Sequence, residues 1–160
     1  MSDGRGTYWG YIVLLVIVYF LLTIGLGLER WVPDLLTVAL LLAARRLPGA
    51  GAAALGLALG LVRDAVAVDG FGADAIVLTV LGYVGARSRD LFEGDSLLFM
   101  AVYLFLGKWL HDIGYGLLAQ GGPRGGLVDW LVLDRPMAAA LAAAGGLVTL
   151  VLHRMATRAR

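Results

Sequence analysis

The sequence predicts an all-α integral membrane protein folded as a bundle of six transmembrane helices. Hydrophobic residues make up 60% of the 160 residues and charged residues only 16%, whereas a water-soluble domain carries roughly 25% charged residues. The apolar residues fall in long runs that are apolar on every side, which is typical of membrane helices. We therefore expect a single polytopic membrane domain over residues 1–160.

A helix that crosses the bilayer needs about 20 apolar residues. The apolar runs predict six spans, at about 9–28, 32–46, 49–68, 73–86, 96–119 and 136–153. The second span is short, so it must thin the bilayer, extend by snorkelling of its flanking arginines, or be shielded by neighbouring helices. An apolar piece at 124–135 is too short to span, and it is either an interfacial segment or a re-entrant one.

The basic residues predict the orientation of the bundle. Those on the side shared by the two termini are Arg5, Arg45, Arg46, Arg87, Arg89, Arg154, Arg158 and Arg160. The opposite loops hold only Arg30, Arg124 and Arg135. Because basic residues concentrate in cytoplasmic loops, both termini are predicted to be cytoplasmic.

Seven ionisable residues fall in the central or outer half of the predicted bundle: Asp34, Arg63, Asp64, Asp74, Lys108, His111 and Asp112. Two of the carboxylates, Asp34 and Asp74, stand at the outer starts of the second and fourth spans, near the positive ends of the helix dipoles. The three residues of the fifth span are spaced i, i+3 and i+4, which places them on one helix face.

Three interpretations of these charges stay open at this point. Ionisable residues inside a membrane mark a functional site by default, so the outer half is a candidate pocket for a ligand or partner. A proton or ion relay would need a carboxylate path through the full thickness, and the inner half has none. The third interpretation is an ionic network that fixes the register of the helices, in which removal of Asp64 would leave Arg63 or Lys108 unpaired.

Several kinds of chemistry find no support in the sequence. There is no cysteine, so thiolate nucleophiles and thiolate metal sites are excluded. We find no phosphate-binding loop, no nucleophile–base pair and no histidine cluster, and we expect no enzyme activity, no cofactor and no metal. The basic residues lie in short pieces between apolar runs, so nucleic acid is not an expected partner.

Small residues and turn residues predict where helices approach closely and where the chain turns. The positions assigned to packing and turns are Pro33, Gly56, Gly60, Gly70, Gly72, Gly82, Tyr83 and Gly85. Whether one small-residue face is left for a second copy or for another protein stays open.

The central part of the chain resembles the MreD family of rod shape-determining membrane proteins. The resemblance lies in Pro33-Asp34 opening a short span, Arg45-Arg46 in a small basic loop, Gly60-Leu61 with Asp64, the turn from Gly70 to Gly72, and Gly82-Tyr83 with Gly85. It covers roughly residues 30 to 90. Two positions depart from the family pattern: Arg63 stands in place of an apolar residue, and Asp74 in place of an asparagine.

The resemblance implies a non-enzymatic scaffold of the cell-elongation machinery in the cytoplasmic (inner) membrane. The implied partners are MreC by direct contact, and MreB, a RodA-type glycosyltransferase and a class B penicillin-binding protein in the same complex. The implied fold is similar to that of the substrate-binding (S) subunits of energy-coupling-factor vitamin transporters, and such a subunit is the alternative function. Those subunits dock through an Ala-x-x-x-Ala face in the first span, and here that span contains no alanine.

Overall fold

The computed structural model describes residues 3–25, 34–66, 72–89, 96–119 and 135–158. In these ranges the chain forms six α-helices: α1 (Asp3–Phe20), α2 (Leu35–Ala44), α3 (Gly49–Val66), α4 (Ala73–Ser88), α5 (Leu97–Ala119) and α6 (Arg135–Arg158). A π-helical turn, Leu21–Gly25, continues α1. The all-α prediction is therefore confirmed for the described residues. The predicted roles of Pro33, Gly70 and the segment 124–134 lie outside them.

Each predicted span overlaps with one of these helices. Three helical segments are long and apolar enough to cross a membrane: Gly6–Gly25, Gly49–Val66 and Leu97–Ala119. Two further apolar helices are shorter, Leu35–Ala44 and Ala139–Leu152. Three helices extend beyond the predicted spans: α1 begins at Asp3, α4 continues to Ser88, and α6 continues to Arg158. Hydropathy locates only the apolar part of a helix. A helix can continue beyond that part through one or more polar turns, so its ends are not predicted.

The short helix α2 lies at the centre of the bundle. All ten of its residues are buried, and it contacts α1, α3, α4, α5 and α6. Ten helical residues are about 15 Å long, which is half of the roughly 30 Å of bilayer hydrocarbon. Neighbouring helices therefore surround α2 on all sides, which is the arrangement that the shielding alternative requires.

Two tyrosines bind the last turn of α2, where backbone carbonyls lack partners within the helix. The Tyr8 hydroxyl on α1 donates to the carbonyl oxygen of Leu42 at 2.7 Å. The Tyr103 hydroxyl on α5 donates to that of Leu41 at 2.9 Å. Since an unpaired carbonyl inside a membrane bundle is costly, these bonds hold the two helices against the end of α2.

Helices α3 and α4 pack with their backbones in contact. A Cβ atom on Gly56 would overlap with the backbone of Leu78, and one on Gly60 would overlap with that of Ala75. In the opposite direction, a Cβ atom on Gly82 would overlap with a carbonyl oxygen of α3. These three glycines therefore serve packing inside the chain, because only a residue without a side chain fits there.

The other assigned small or turn residues have separate surroundings. Gly72 precedes α4 with φ of 91°, a left-handed conformation that glycine adopts without strain. A Cβ atom on Gly85 would come within 2.8 Å of the Tyr103 hydroxyl. Tyr83 is exposed, and its ring lies against the start of α3 at Gly49.

Candidate functional site

Six ionisable side chains from four elements form a closed ring in which acids and bases alternate. The order around the ring is Asp34, Arg63, Asp74, His111, Asp112, Lys108 and back to Asp34. Asp34 precedes α2, Arg63 lies near the end of α3, Asp74 lies in the first turn of α4, and the other three lie on α5. The ring thus joins the central helix to three of its neighbours.

Asp34 is the carboxylate that binds both strong bases of the ring, Arg63 and Lys108. Its Oδ2 accepts a bond from Arg63 Nη1 at 3.0 Å and another from Lys108 Nζ at 2.9 Å. The same carboxylate caps α2, because Oδ1 accepts the backbone N–H of Thr37 at 3.1 Å and Oδ2 accepts the Thr37 hydroxyl at 2.9 Å. One side chain therefore starts the central helix and ties it to α3 and α5.

Asp74 is the carboxylate that lies between Arg63 and His111 in the ring. Its Oδ2 accepts from Arg63 Nε at 3.1 Å, and its Oδ1 lies 2.8 Å from His111 Nε2. Arg63 therefore bridges two carboxylates through different nitrogens of one guanidinium group, Nη1 to Asp34 and Nε to Asp74. Such a fork fixes the positions of both carboxylates, which a lysine ammonium at the same place would do less well.

The helical spacing on α5 closes the ring. Lys108 and Asp112, four residues apart, are ion-paired, and His111 Nδ1 lies 3.2 Å from Asp112 Oδ1. Both nitrogens of His111 therefore face carboxylate oxygens, one on Asp112 and the other on Asp74. An ionised carboxylate can only accept hydrogen bonds, so bonds from both nitrogens require the imidazolium form.

With His111 in the imidazolium form, three carboxylates face three cations and the charges of the ring balance. Balance matters because five of the six members are buried, and only the Arg63 side chain is substantially exposed, at 24%. An uncompensated charge in such a place is strongly destabilising, whereas a balanced and fully bonded set is tolerated.

Asp64 lies beside the ring but is not a member of it. Its Oδ1 accepts the backbone N–H of Asp74 at 3.2 Å, and its Oδ2 accepts that of Ala75 at 2.9 Å. These are the second and third N–H groups of α4, which a cap residue usually satisfies. Gly72 at the cap position has no side chain to do so. The expectation that Asp64 balances Arg63 or Lys108 is therefore wrong, because a neighbouring helix uses its carboxylate as a cap.

Three aromatic or hydroxyl neighbours of the ring were not predicted from the sequence. Thr37 follows Asp34 at the spacing of a helix cap, a signal that was available. Tyr115 stacks on His111 with ring centroids 6.2 Å apart, and its i+4 spacing was also available. The Tyr19 ring lies 5.8 Å from the Arg63 guanidinium carbon, and no local pattern indicates that contact.

The ring directs its bonding groups toward its own members. No group of three or more potential metal ligands with suitable placement occurs in the described part of the chain. The ring also lies toward one end of the bundle, at the starts of α2 and α4, while arginines mark the other ends of these helices: Arg45 follows α2, and Arg87 lies in the last turn of α4. This arrangement is suited to holding helices in a fixed relation and not to passing an ion across the membrane.

Comparison with known proteins adds the family. The family model for the rod shape-determining protein MreD matches residues 4–115. The chain belongs to the MreD family. The match includes every member of the ring and ends three residues after Asp112. No curated protein and no solved structure gives a match.

Membership in the MreD family places the chain among membrane proteins with a role in rod shape determination, a family of structural proteins that are not known as enzymes. The three long apolar helices agree with a membrane protein. Within the matched residues, Arg63 and Asp74 form an ion pair with each other at 3.1 Å.

Proposed function

We propose that this chain is a non-enzymatic scaffold of the machinery that elongates rod-shaped bacterial cells. In this proposal it binds MreC directly. Through that contact it connects the MreB filament with a RodA-type glycosyltransferase and a class B penicillin-binding protein, which build the wall. The family supports a role in rod shape, and the individual partners are the proposed part.

The closed ring is the observation that carries the scaffold proposal. Ionisable groups inside a membrane protein usually serve a substrate or an ion, but here the carboxylates and cations bind one another. Their effect is to fix the rotation and register of α2, α3, α4 and α5. A bundle held in this way presents constant outer surfaces, which a binding partner can recognise without rearrangement.

We further propose that all six helices span the cytoplasmic membrane as one polytopic domain, with both termini in the cytoplasm. The proposed fold is a bundle of the kind found in the S subunits of energy-coupling-factor transporters. In support, α2 is shielded by its neighbours, so its length of ten residues does not prevent it from belonging to a spanning bundle. Arginines at the ends of α2 and α4 agree with a cytoplasmic location of that end.

Co-purification from the native cells tests the proposed partners. A tagged copy is extracted in mild detergent, and the proteins that accompany it are identified by mass spectrometry. A second tagged polytopic membrane protein, expressed at the same level, controls for proteins that bind any apolar bundle. We expect enrichment of MreC and of the wall-synthesis enzymes over this control.

The alternative function makes a different prediction in the same experiment. A vitamin-binding transporter subunit would recover a transport module with two ATPases and no wall-synthesis enzymes. That result would overturn the scaffold proposal, and the outer charges would then need to be explained as part of a ligand site.

A further inference from the structure

The end of the bundle remote from the ring carries four arginines in two adjoining pairs. Arg45 and Arg46 follow α2, Arg87 lies in the last turn of α4, and Arg89 follows that helix. The two pairs meet, because Arg89 Nη1 donates to the carbonyl oxygen of Arg45 at 3.4 Å. We call this cluster the arginine end.

Aromatic rings hold the guanidinium groups of the arginine end in place. The guanidinium carbon of Arg46 lies 4.1 Å from the centre of the Tyr8 ring, and that of Arg87 lies 5.7 Å from the centre of the Tyr83 ring. A cation–π contact of this kind restricts where a guanidinium group can lie, and a guanidinium group carries five N–H donors that an anion can use.

Arg46 and Arg87 are both exposed, and neither has a carboxylate partner among the described residues. Their situation is the opposite of Arg63, which binds two carboxylates. An oriented guanidinium group at the end of a membrane helix is suited to a phosphate, which it binds through paired N–H donors.

The surface next to Arg87 favours a lipid as the source of that phosphate. Val80 and Val84 lie seven and three residues before Arg87 on α4, and both side chains are about half exposed, at 57% and 48%. With Tyr83 they form an apolar stripe that runs along the helix away from the guanidinium group. A free phosphate ion would use only the arginines, whereas a phospholipid would place its headgroup on them and an acyl chain on the stripe.

We propose that the arginine end binds the headgroups of anionic phospholipids, with Arg46 and Arg87 each serving as a phosphate ligand and the Val80–Val84 stripe as the acyl-chain contact beside Arg87. The arginine end is distinct from the ring of charges. It would retain an anionic lipid of the phosphatidylglycerol type beside the ends of α2 and α4.

Fluorescence quenching by brominated lipids tests this site directly. Trp9 neighbours Tyr8, with ring centroids 6.4 Å apart, and therefore reports on the arginine end once the other three tryptophans are replaced (W31F, W109F and W130F). The protein is reconstituted in phosphatidylcholine bilayers, and its quenching by brominated phosphatidylglycerol is compared with its quenching by brominated phosphatidylcholine. We expect a preference of about fivefold or more for phosphatidylglycerol, on the scale that one basic residue near a membrane surface provides.

Three variants locate the preference. R46Q/R87Q should bind the two lipids equally. R46K/R87K retains both charges and should keep most of the preference. R135Q removes an arginine at the start of α6, toward the opposite end of the bundle, and should change nothing. Thermal unfolding in phosphatidylcholine bilayers checks that each variant is folded, and the single variants R46Q and R87Q replace the double one if it is not.

The result is decisive in either direction. Three results would overturn the proposal. The protein with all its arginines could bind the two lipids equally, R46Q/R87Q could keep the preference for phosphatidylglycerol, or R135Q could lose that preference to the same extent as R46Q/R87Q. A preference that disappears when inorganic phosphate is added to the buffer would also overturn it, since the site would then bind free phosphate and not a lipid.

Discussion

Arg63 and Asp64 are neighbours in the sequence, yet they act on different parts of the bundle. Arg63 binds the carboxylates of Asp34 and Asp74 and so completes the ring. Asp64 binds two backbone N–H groups of α4 and so caps that helix. Successive residues of a helix point about 100° apart, which lets the end of α3 serve both functions at once.

The cap predicts a graded response at position 64. D64A leaves two buried N–H groups without an acceptor and should lower the free energy of unfolding by about 1–3 kcal/mol. D64N keeps one oxygen and is a good cap residue, so its loss should be about half as large. Unfolding by titration with a denaturing detergent measures both variants. Equal losses in D64A and D64N would contradict the cap and indicate that the charge itself is needed.

The ion pair between Arg63 and Asp74 predicts a coupled pair of substitutions. R63L leaves the ring with an excess carboxylate, and D74N leaves it with an excess cation, so each should cost about 2 kcal/mol or more. The double variant R63L/D74N restores the balance of charge in the ring. A double-mutant cycle by the same unfolding titration should give a cost below the sum of the two single costs by about 1 kcal/mol or more. Strict additivity would mean that the two residues do not interact.

The position of His111 between two carboxylates predicts its protonation. In protein labelled with ¹⁵N-histidine, and carrying H153Q so that one histidine remains, both ring nitrogens of His111 should show the chemical shifts of N–H groups. A spectrum with one protonated and one bare nitrogen would contradict the imidazolium form. The ring would then carry an excess negative charge, and its description as a balanced set would be wrong.

The contact between α3 and α4 predicts that single methyl groups are not tolerated there. G56A and G82A each place a Cβ atom against the backbone of the partner helix, and each should lower the free energy of unfolding by about 1–3 kcal/mol. G10A is a matched control, since a Cβ atom on Gly10 meets nothing within 4 Å. It should be neutral or stabilise α1 by up to about 1 kcal/mol. Similar behaviour of the three variants would contradict the close approach.

The proposed topology predicts which side of the membrane labels a cysteine. The chain has no cysteine of its own, so a single one reports without background. Ser96, at the start of α5, should be cytoplasmic, and Gln120, which follows that helix, should be external. In intact cells a membrane-impermeant maleimide should label Q120C but not S96C, and permeabilised cells should label both. The reverse pattern would invert the proposed orientation.

The positions of the helices and the identity of the ionisable residues could be predicted from sequence patterns. The contacts between these residues could not, because they depend on segments that are far apart in the sequence. Hydropathy locates the helices, and charge at membrane depth singles out the seven ionisable residues. The role of Asp64 was not predictable, because it depends on the backbone conformation at Gly72, which leaves the start of α4 without a cap of its own. The order of the ring depends on how each helix is rotated about its axis, and the contact of Tyr19 with Arg63 depends on how α1 sits against its neighbours.

The measurement that tests the account most directly compares cell shape and protein stability in R63L, D74N and R63L/D74N. Each variant replaces the native protein in its own cells, and the folded fraction in membrane extracts is measured beside the length-to-width ratio of the cells. If the ring acts by holding the bundle together, the single variants should lose folded protein and rod shape together, and the double variant should recover both. A double variant that is as stable as the native protein while the cells stay round would contradict the account, because Arg63 or Asp74 would then contact a partner or ligand directly.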